Sequence, residues 1–209
     1  MRKIMLVMIA LLLSVQSCLA AEITEARFND SETLIYPVVH VEDAAIEQRI
    51  NDTIREEILR FVKEIHYVAQ YRNSEIADIH TKYEIGSNEA GNTIILSVIL
   101  TESSFFKMAA HPSTYIRPLN FNLSSGELMG IDYLVEVGDG FQDGRLLERL
   151  NQKLAEKVER GEIFLFENAL PVKELPQDFY WDKNLHVHFI FQHYAIASYA
   201  AGIIDVDID

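Results

Sequence analysis

Two histidines set two residues apart near the end of the chain, His186 and His188 in Leu185-His186-Val187-His188-Phe189, are the pair best placed to do chemistry. Side chains of an extended strand alternate between its faces, so residues i and i+2 share one. Two imidazoles so placed can reach one zinc ion, with Asp205 or Asp207 on a neighbouring strand as the third ligand. The row Asp205, Asp207 and Asp209 has the composition of a calcium set or a general acid/base set. Neither an HExxH helix nor a cysteine cluster accompanies these residues, and nothing in the sequence fixes a third ligand. They therefore read as a solvated sheet face, where a row of charge also discourages edge-to-edge pairing. No metal and no cofactor is implied.

Other groupings are weaker or belong to recognition. Ser103 and Ser104 lie some eight residues before His111, but no G-x-S-x-G elbow surrounds them, and the glycine-bearing turns lack the lysine or the spacing of a phosphate loop. Tyr180, Trp181, His193, Tyr194 and Ser198 form the candidate ligand-binding set, because aromatic side chains supply contact area at low entropic cost. Core packing competes with that role at Tyr180 and Trp181, and Tyr199 reads as core. The chain reads more as a binding protein than as an enzyme. The enzymatic alternative is a cell-wall hydrolase or metal-dependent enzyme using His186, His188 and Asp205 or Asp207.

Charge and leader narrow the setting. The formal charge is −14 over 209 residues, which repels phosphate backbones and makes nucleic acid a poor partner. Arg2 and Lys3 precede an apolar run, Ile4 to Val15, too short to span a bilayer comfortably, so residues 1–20 read as a signal peptide cut after Ala20. Losing those two cations takes −14 to −16. The expectation is an exported protein, periplasmic or secreted, with no transmembrane segment in the mature chain; lipidation at Cys18 is the anchored alternative. Cys18 is the only cysteine, so a chain cut after Ala20 must fold without disulfides. With 49% hydrophobic residues over the whole sequence, enough apolar side chains remain to do so.

The elements that must position these residues follow from periodicity. Thr33 to Val41 is strand-like, with Pro37 demanding an edge or a bend. Asp43 is the expected N-cap of an amphipathic helix whose stripe is Ile46, Ile50, Ile54, Ile58, Phe61, Val62 and Ile65. His80 to Ile85 and Thr93 to Thr101 form an expected hairpin, the second strand apolar enough to be buried on both faces. The pattern loosens at Phe105, where the boundary between two subdomains, 22–106 and 107–209, is placed. Leu119 to Leu123 and the Ser124-Ser125-Gly126 turn predict another hairpin. A second helix runs from about Asp143 to Arg160, with Leu146, Leu147, Leu150, Leu154 and Val158 as its stripe. Leu185 to Gln192 and Ile204 to Ile208 are expected strands joined through Tyr194 to Gly202. The order predicts an α+β fold of two subdomains, each a mostly antiparallel sheet packed against an amphipathic helix.

Three places carry a family likeness: His111-Pro112; Asn120-Phe121-Asn122-Leu123-Ser124-Ser125-Gly126 followed by Ile131-Asp132-Tyr133-Leu134; and Tyr194-Ala195-Ile196-Ala197-Ser198-Tyr199-Ala200-Ala201-Gly202. With them, residues 110–208 resemble the extracellular domain of unknown function found in RsiV-type anti-sigma factors, which sense lysozyme, and in PdaC-type peptidoglycan deacetylases outside their catalytic domain. Tyr36-Pro37-Val38-Val39 and Ile50-Asn51-Asp52-Thr53-Ile54 look like the PdaC-like companion domain that precedes it. Ala195 stands where an acidic residue is common in that family, and Ser198 where proline is common. No sigma-binding segment or deacetylase domain is read in these residues. The resemblance thus implies an envelope-facing binding or sensing module, with a cationic wall-active protein or peptidoglycan as partner.

Overall fold

The computed structural model describes residues 20–88, 94–137 and 143–209. Residues 1–19 of the expected signal peptide lie outside the described residues. Strands β1 (Glu22–Arg27) and β2 (Ile35–His40) form an antiparallel ribbon, and helix α1 (Ala44–Arg72) follows. Strands β3 (Ile76–Asn88), β4 (Ile95–Phe106) and β5 (Ser113–Asn122) make an antiparallel sheet in that order. After helices α2 (Ile131–Val137) and α3 (Asp143–Glu159), strands β6 (Phe179–Trp181), β7 (Val187–Phe191) and β8 (Ile204–Asp207) close a second antiparallel sheet, again in chain order. The fold is α+β with antiparallel sheets, as expected. Among the described residues, no helix is long and apolar enough to cross a membrane.

Each sheet has its own core. Asp43 caps α1 through Oδ1, which accepts from the Ala45 and Ile46 amides at 2.8 and 3.2 Å, and Asn73 ends the helix in the left-handed region. The α1 stripe of Ile50, Ile54, Ile58 and Phe61 is buried against Leu96, Val98 and Leu100 of β4 and Leu119 and Phe121 of β5. In the second core, Leu146, Leu150 and Leu154 of α3 are completely buried with Phe179, Trp181, Phe189 and Val206. Each such side chain contributes roughly 1.5–3 kcal/mol. Val158, expected to continue that stripe, lies in the last turn of α3 and is 40% exposed. Both helices are also tied by an asparagine beside a buried aliphatic residue. Asn51 donates to the Val39 carbonyl and accepts from its amide (2.7 and 2.8 Å). Asn151 does the same for Val172 (3.1 and 2.7 Å).

The pairing of β5 differs from local expectation. The region from Phe105 reads as a loosening of pattern, yet β4 continues to Phe106 and Ser113 to Asn122 lies antiparallel along it, with Ser104 opposite Ser113 and Ile95 opposite Asn122. Pro118 is tolerated because β5 is the edge of its sheet, where one row of amides is not needed for the ladder. The hairpin predicted beyond Leu123 shrinks to one bridge, Phe121 to Leu128. Gly126 takes φ +71° there, packed against the carbonyl of Ile46.

The β6–β7–β8 sheet docks on the far face of β4 and on the free edge of β5, so the boundary placed at residue 106 cuts through the first sheet, whose third strand lies beyond it. Ser97 Oγ donates to Asn120 Oδ1 (2.7 Å), Asn120 Nδ2 donates to the Phe179 carbonyl (2.7 Å), and the Trp181 amide donates to Ser97 Oγ (3.1 Å), all buried. At the β5 edge, Gln192 brackets Ile116, accepting from its amide at 3.1 Å and donating to its carbonyl at 2.7 Å. An edge strand is in this way covered rather than left open to pairing. Asn120→Ala is expected to lower unfolding free energy by about 2 kcal/mol, since the Phe179 carbonyl is left buried without a donor; denaturant titration measures it, and a loss under about 0.5 kcal/mol contradicts this role for the network.

Candidate functional site

The β6–β7–β8 sheet turns one face to its core and presents on the other Tyr180, His186, His188, Asp205 and Asp207. In the register, Tyr180 and Asp207 flank His188 from either side. His188 Nδ1 donates to Asp205 Oδ1 at 2.8 Å, and the Tyr180 hydroxyl donates to Asp205 Oδ2 at 2.7 Å while lying 3.1 Å from the same nitrogen. The two rings stack at 4.6 Å. Burial works against the His188 imidazolium, but the hydrogen bond to Asp205 and the charges of Asp205, Asp207 and Asp182 outweigh it and raise its pKa. Burial and the hydrogen bond to Asp205 raise that of Tyr180. Burial would raise Asp182, but the amides of His186 and Asn184 donate to it and hold it low.

This arrangement divides the metal set that residue spacing offers as the alternative to a solvated face. His188 is not a free imidazole on a wet face: its Nδ1 is committed to Asp205, and Asp182 lies 4.0 Å from its Nε2. Ile190, on the same face, is buried. His186 has other neighbours, with its Nδ1 3.5 Å from Asp207 Oδ2. The two histidines therefore do not converge on one centre as the hydrolase reading requires. The Ser-His reading also fails to assemble, since Ser103 Oγ lies 3.1 Å from Thr114 Oγ1 and His111 Nδ1 from the Pro112 carbonyl at 2.9 Å.

Of the recognition residues, Tyr180 stays on the sheet face against His188, while His193, Tyr194 and Ser198 gather elsewhere, around the turn between β7 and β8. Tyr199 lies between two imidazoles, with ring centroids 3.7 Å from His111 and 4.2 Å from His193, and its hydroxyl donates to the Pro112 carbonyl at 2.9 Å. Tyr199 is thus the half-buried centre of a surface stack and not a core residue. Burial, and then the neighbouring His111, lower the His193 pKa. Tyr194 leans on the group, 6.0 Å from Tyr199, with its hydroxyl 3.4 Å from His111 Nε2. Its backbone is left-handed at φ 65°, yet its ring is 58% exposed. Ala195 and Ser198 are exposed beside it. Trp181 is corrected: at 7% exposure it packs edge-on against Phe179 at 5.1 Å and presents nothing to a ligand.

Two aromatics that the sequence reading passed over stand next to this turn. The Phe166 amide donates to the Ile196 carbonyl (2.9 Å), and Leu165 bridges to Ala197. That leaves Phe164 78% exposed and Phe166 largely so. The alternation Phe164-Leu165-Phe166, with only its middle residue packed on the core, was the available signal.

Residues 139–209 match the model of a family described as a protein of unknown function, DUF3298. No curated protein matches the chain. Among solved structures, the chain is similar to a member of the DUF3298 family (BF2082) from Bacteroides fragilis NCTC 9343, with 15% identity, a TM-score of 0.58, and 90% of this chain and 87% of that one covered. It is also similar to a DUF3298 family protein (PA4972) from Pseudomonas aeruginosa PAO1, with 13% identity, a TM-score of 0.53, and 90% and 88% covered. These likenesses carry the fold.

Proposed function

We propose that this protein is an exported cell-envelope binding or sensing module, and that the turn from His193 to Tyr199 with Phe164 and Phe166 is its ligand-contact surface. The observation that carries the reading is Tyr194. A bulky residue in the left-handed region costs roughly 1–2 kcal/mol, and this one pays it while keeping its ring in solvent. The turn closed by the Ala195 amide on the Gln192 carbonyl (3.0 Å) sets that backbone, and core packing does not account for a ring held there in solvent. Strain of this kind gathers at contact sites, and a rigid exposed aromatic is a common anchor in interfaces.

The setting supports export. Ala21, the first residue past the expected cut, is tied into the fold: its amide donates to Asn88 Oδ1 (2.9 Å) and its carbonyl accepts from Asn88 Nδ2 (2.8 Å). A charge of −16 after the cut favours a cationic partner, and the resemblance to lysozyme-sensing domains points to a wall-active protein of that kind, with peptidoglycan as the other ligand. Calorimetric titration of residues 21–209 with a c-type lysozyme and with peptidoglycan fragments at physiological salt tests this. Saturable binding to one of them is expected, weakened roughly 30-fold by Tyr194→Ala, the factor for loss of a central anchor. Binding to neither, or equal binding by the variant, overturns it.

A further inference from the structure

We propose that His186, Asp207 and Asp209 form a surface site for a divalent first-row transition ion of the zinc class. One ligand atom from each lies within 4.8 Å of the other two. The set differs from the one suggested by residue spacing. His188 is withdrawn by Asp205 and Tyr180, and Asp209, which follows the end of β8, takes its place opposite His186. The ligands are held from behind. Asp209 Oδ2 accepts from the Val187 amide (2.8 Å), Asp207 Oδ1 accepts from the Asp209 amide (2.9 Å), and the His186 amide donates to Asp182 Oδ1 (2.8 Å). Each carboxylate thus keeps a second oxygen, and His186 keeps a ring nitrogen, for a shared ion. Outer partners of this sort orient ligands and strengthen binding.

Chemistry selects the ion. One imidazole nitrogen with two carboxylate oxygens suits zinc and its neighbours, whereas magnesium and calcium favour all-oxygen sets. His186 and Asp207 are each about half exposed, so coordination positions remain open to water. The competing contacts are weak: Arg149 is 3.6 Å from Asp209 Oδ1, a partly exposed pair of the kind that contributes little. Lys153 bonds the Asp209 backbone carbonyl and leaves the carboxylate free of that contact. Because the site uses none of the residues of the Tyr194 surface, it stands or falls separately from the function proposed above.

The test is titration of untagged, chelator-treated protein with zinc chloride, followed by calorimetry and by melting temperature, with calcium chloride in parallel. One equivalent of zinc bound and a rise in melting temperature are expected. His186→Ala and Asp209→Asn, each checked for native circular dichroism, should weaken zinc binding at least about tenfold, since even loss of a partner behind a ligand costs that much. His188→Ala should keep it. Absence of zinc binding in the parent protein, binding unchanged in His186→Ala, or calcium binding as tightly as zinc each overturns the proposal.

Discussion

Gly86→Ala is expected to destabilise the protein by about 3 kcal/mol or more, the upper end for overpacking a closed interior. Gly86 lies in β3 where the ladder with β4 is irregular. A Cβ there would meet the Trp181 carbonyl oxygen at 2.3 Å, with the Tyr180 ring and Ser97 Cβ at 3.2 and 3.3 Å. The closest atom is backbone, so no rotamer change relieves the clash. Either β6 lifts away from the first sheet or β3 deforms, and in both cases the Ser97–Asn120–Trp181 network opens. For a domain of this size the melting temperature should fall by roughly 6–12 °C. Trp181 is the only tryptophan, so its emission should shift to the red in the folded variant as β6 loosens. A melting temperature within about 1 °C of the parent, with unshifted emission, contradicts a tight backbone approach at this point.

The second large effect depends on pH and comes from Glu102. Its side chain is 2% exposed beneath α1, where Arg60 Nη2 donates to it at 3.0 Å and Arg117 Nε lies 3.8 Å away. Burial, with the nearby charge of Glu57, raises its pKa to about 7, and Arg60 and Arg117 offset this only in part. Arg60 is shared among Glu57, Glu64 and Glu102, and its own pKa is raised, chiefly by the hydrogen bond to Glu57. Between the ordinary value of 4.5 and about 7, the folded protein retains a proton that the unfolded chain has released. The contribution of Glu102 to stability is therefore complete below that window and is lost as pH rises through it, by up to about 3 kcal/mol. Glu102→Gln removes this titration. The variant should match the parent near pH 4.5 and exceed it in stability near pH 8, and denaturant titrations at the two pH values measure the difference. Taking variant minus parent cancels the other groups that titrate in the window. A difference that does not change with pH overturns the assignment.

Several residues quoted for the family likeness prove to be architectural. Asn51 clamps Val39, Asn120 carries the contact between the two three-stranded sheets, and Gly126 takes a left-handed turn against α1. Only the first and last of the three places, His111-Pro112 and Tyr194 to Gly202, meet at a surface, where Tyr199 touches both His111 and Pro112. A likeness in sequence thus reports the fold over most of its length and a surface cluster of side chains over a small part.

What the sequence determined by itself is everything that repeats locally. The stripes of α1 and α3, the Asp43 cap, the burial of β4 on both faces and the positive φ of Gly202 follow from which residues within one element must leave water and from backbone limits at a single position. Only the tertiary structure decided which edges and faces meet. It paired β5 with β4, closed β1 onto β2, buried Trp181 while leaving Phe164 out, and gave His188 to Asp205 and His186 to Asp207. The reason is physical: periodicity fixes which face of a strand turns inward, but the neighbour across that face comes from tens of residues away. For His186 and His188, two residues apart on one strand, the difference between a shared metal pair and two separate roles lay wholly in the aspartates that β8 brought beside them.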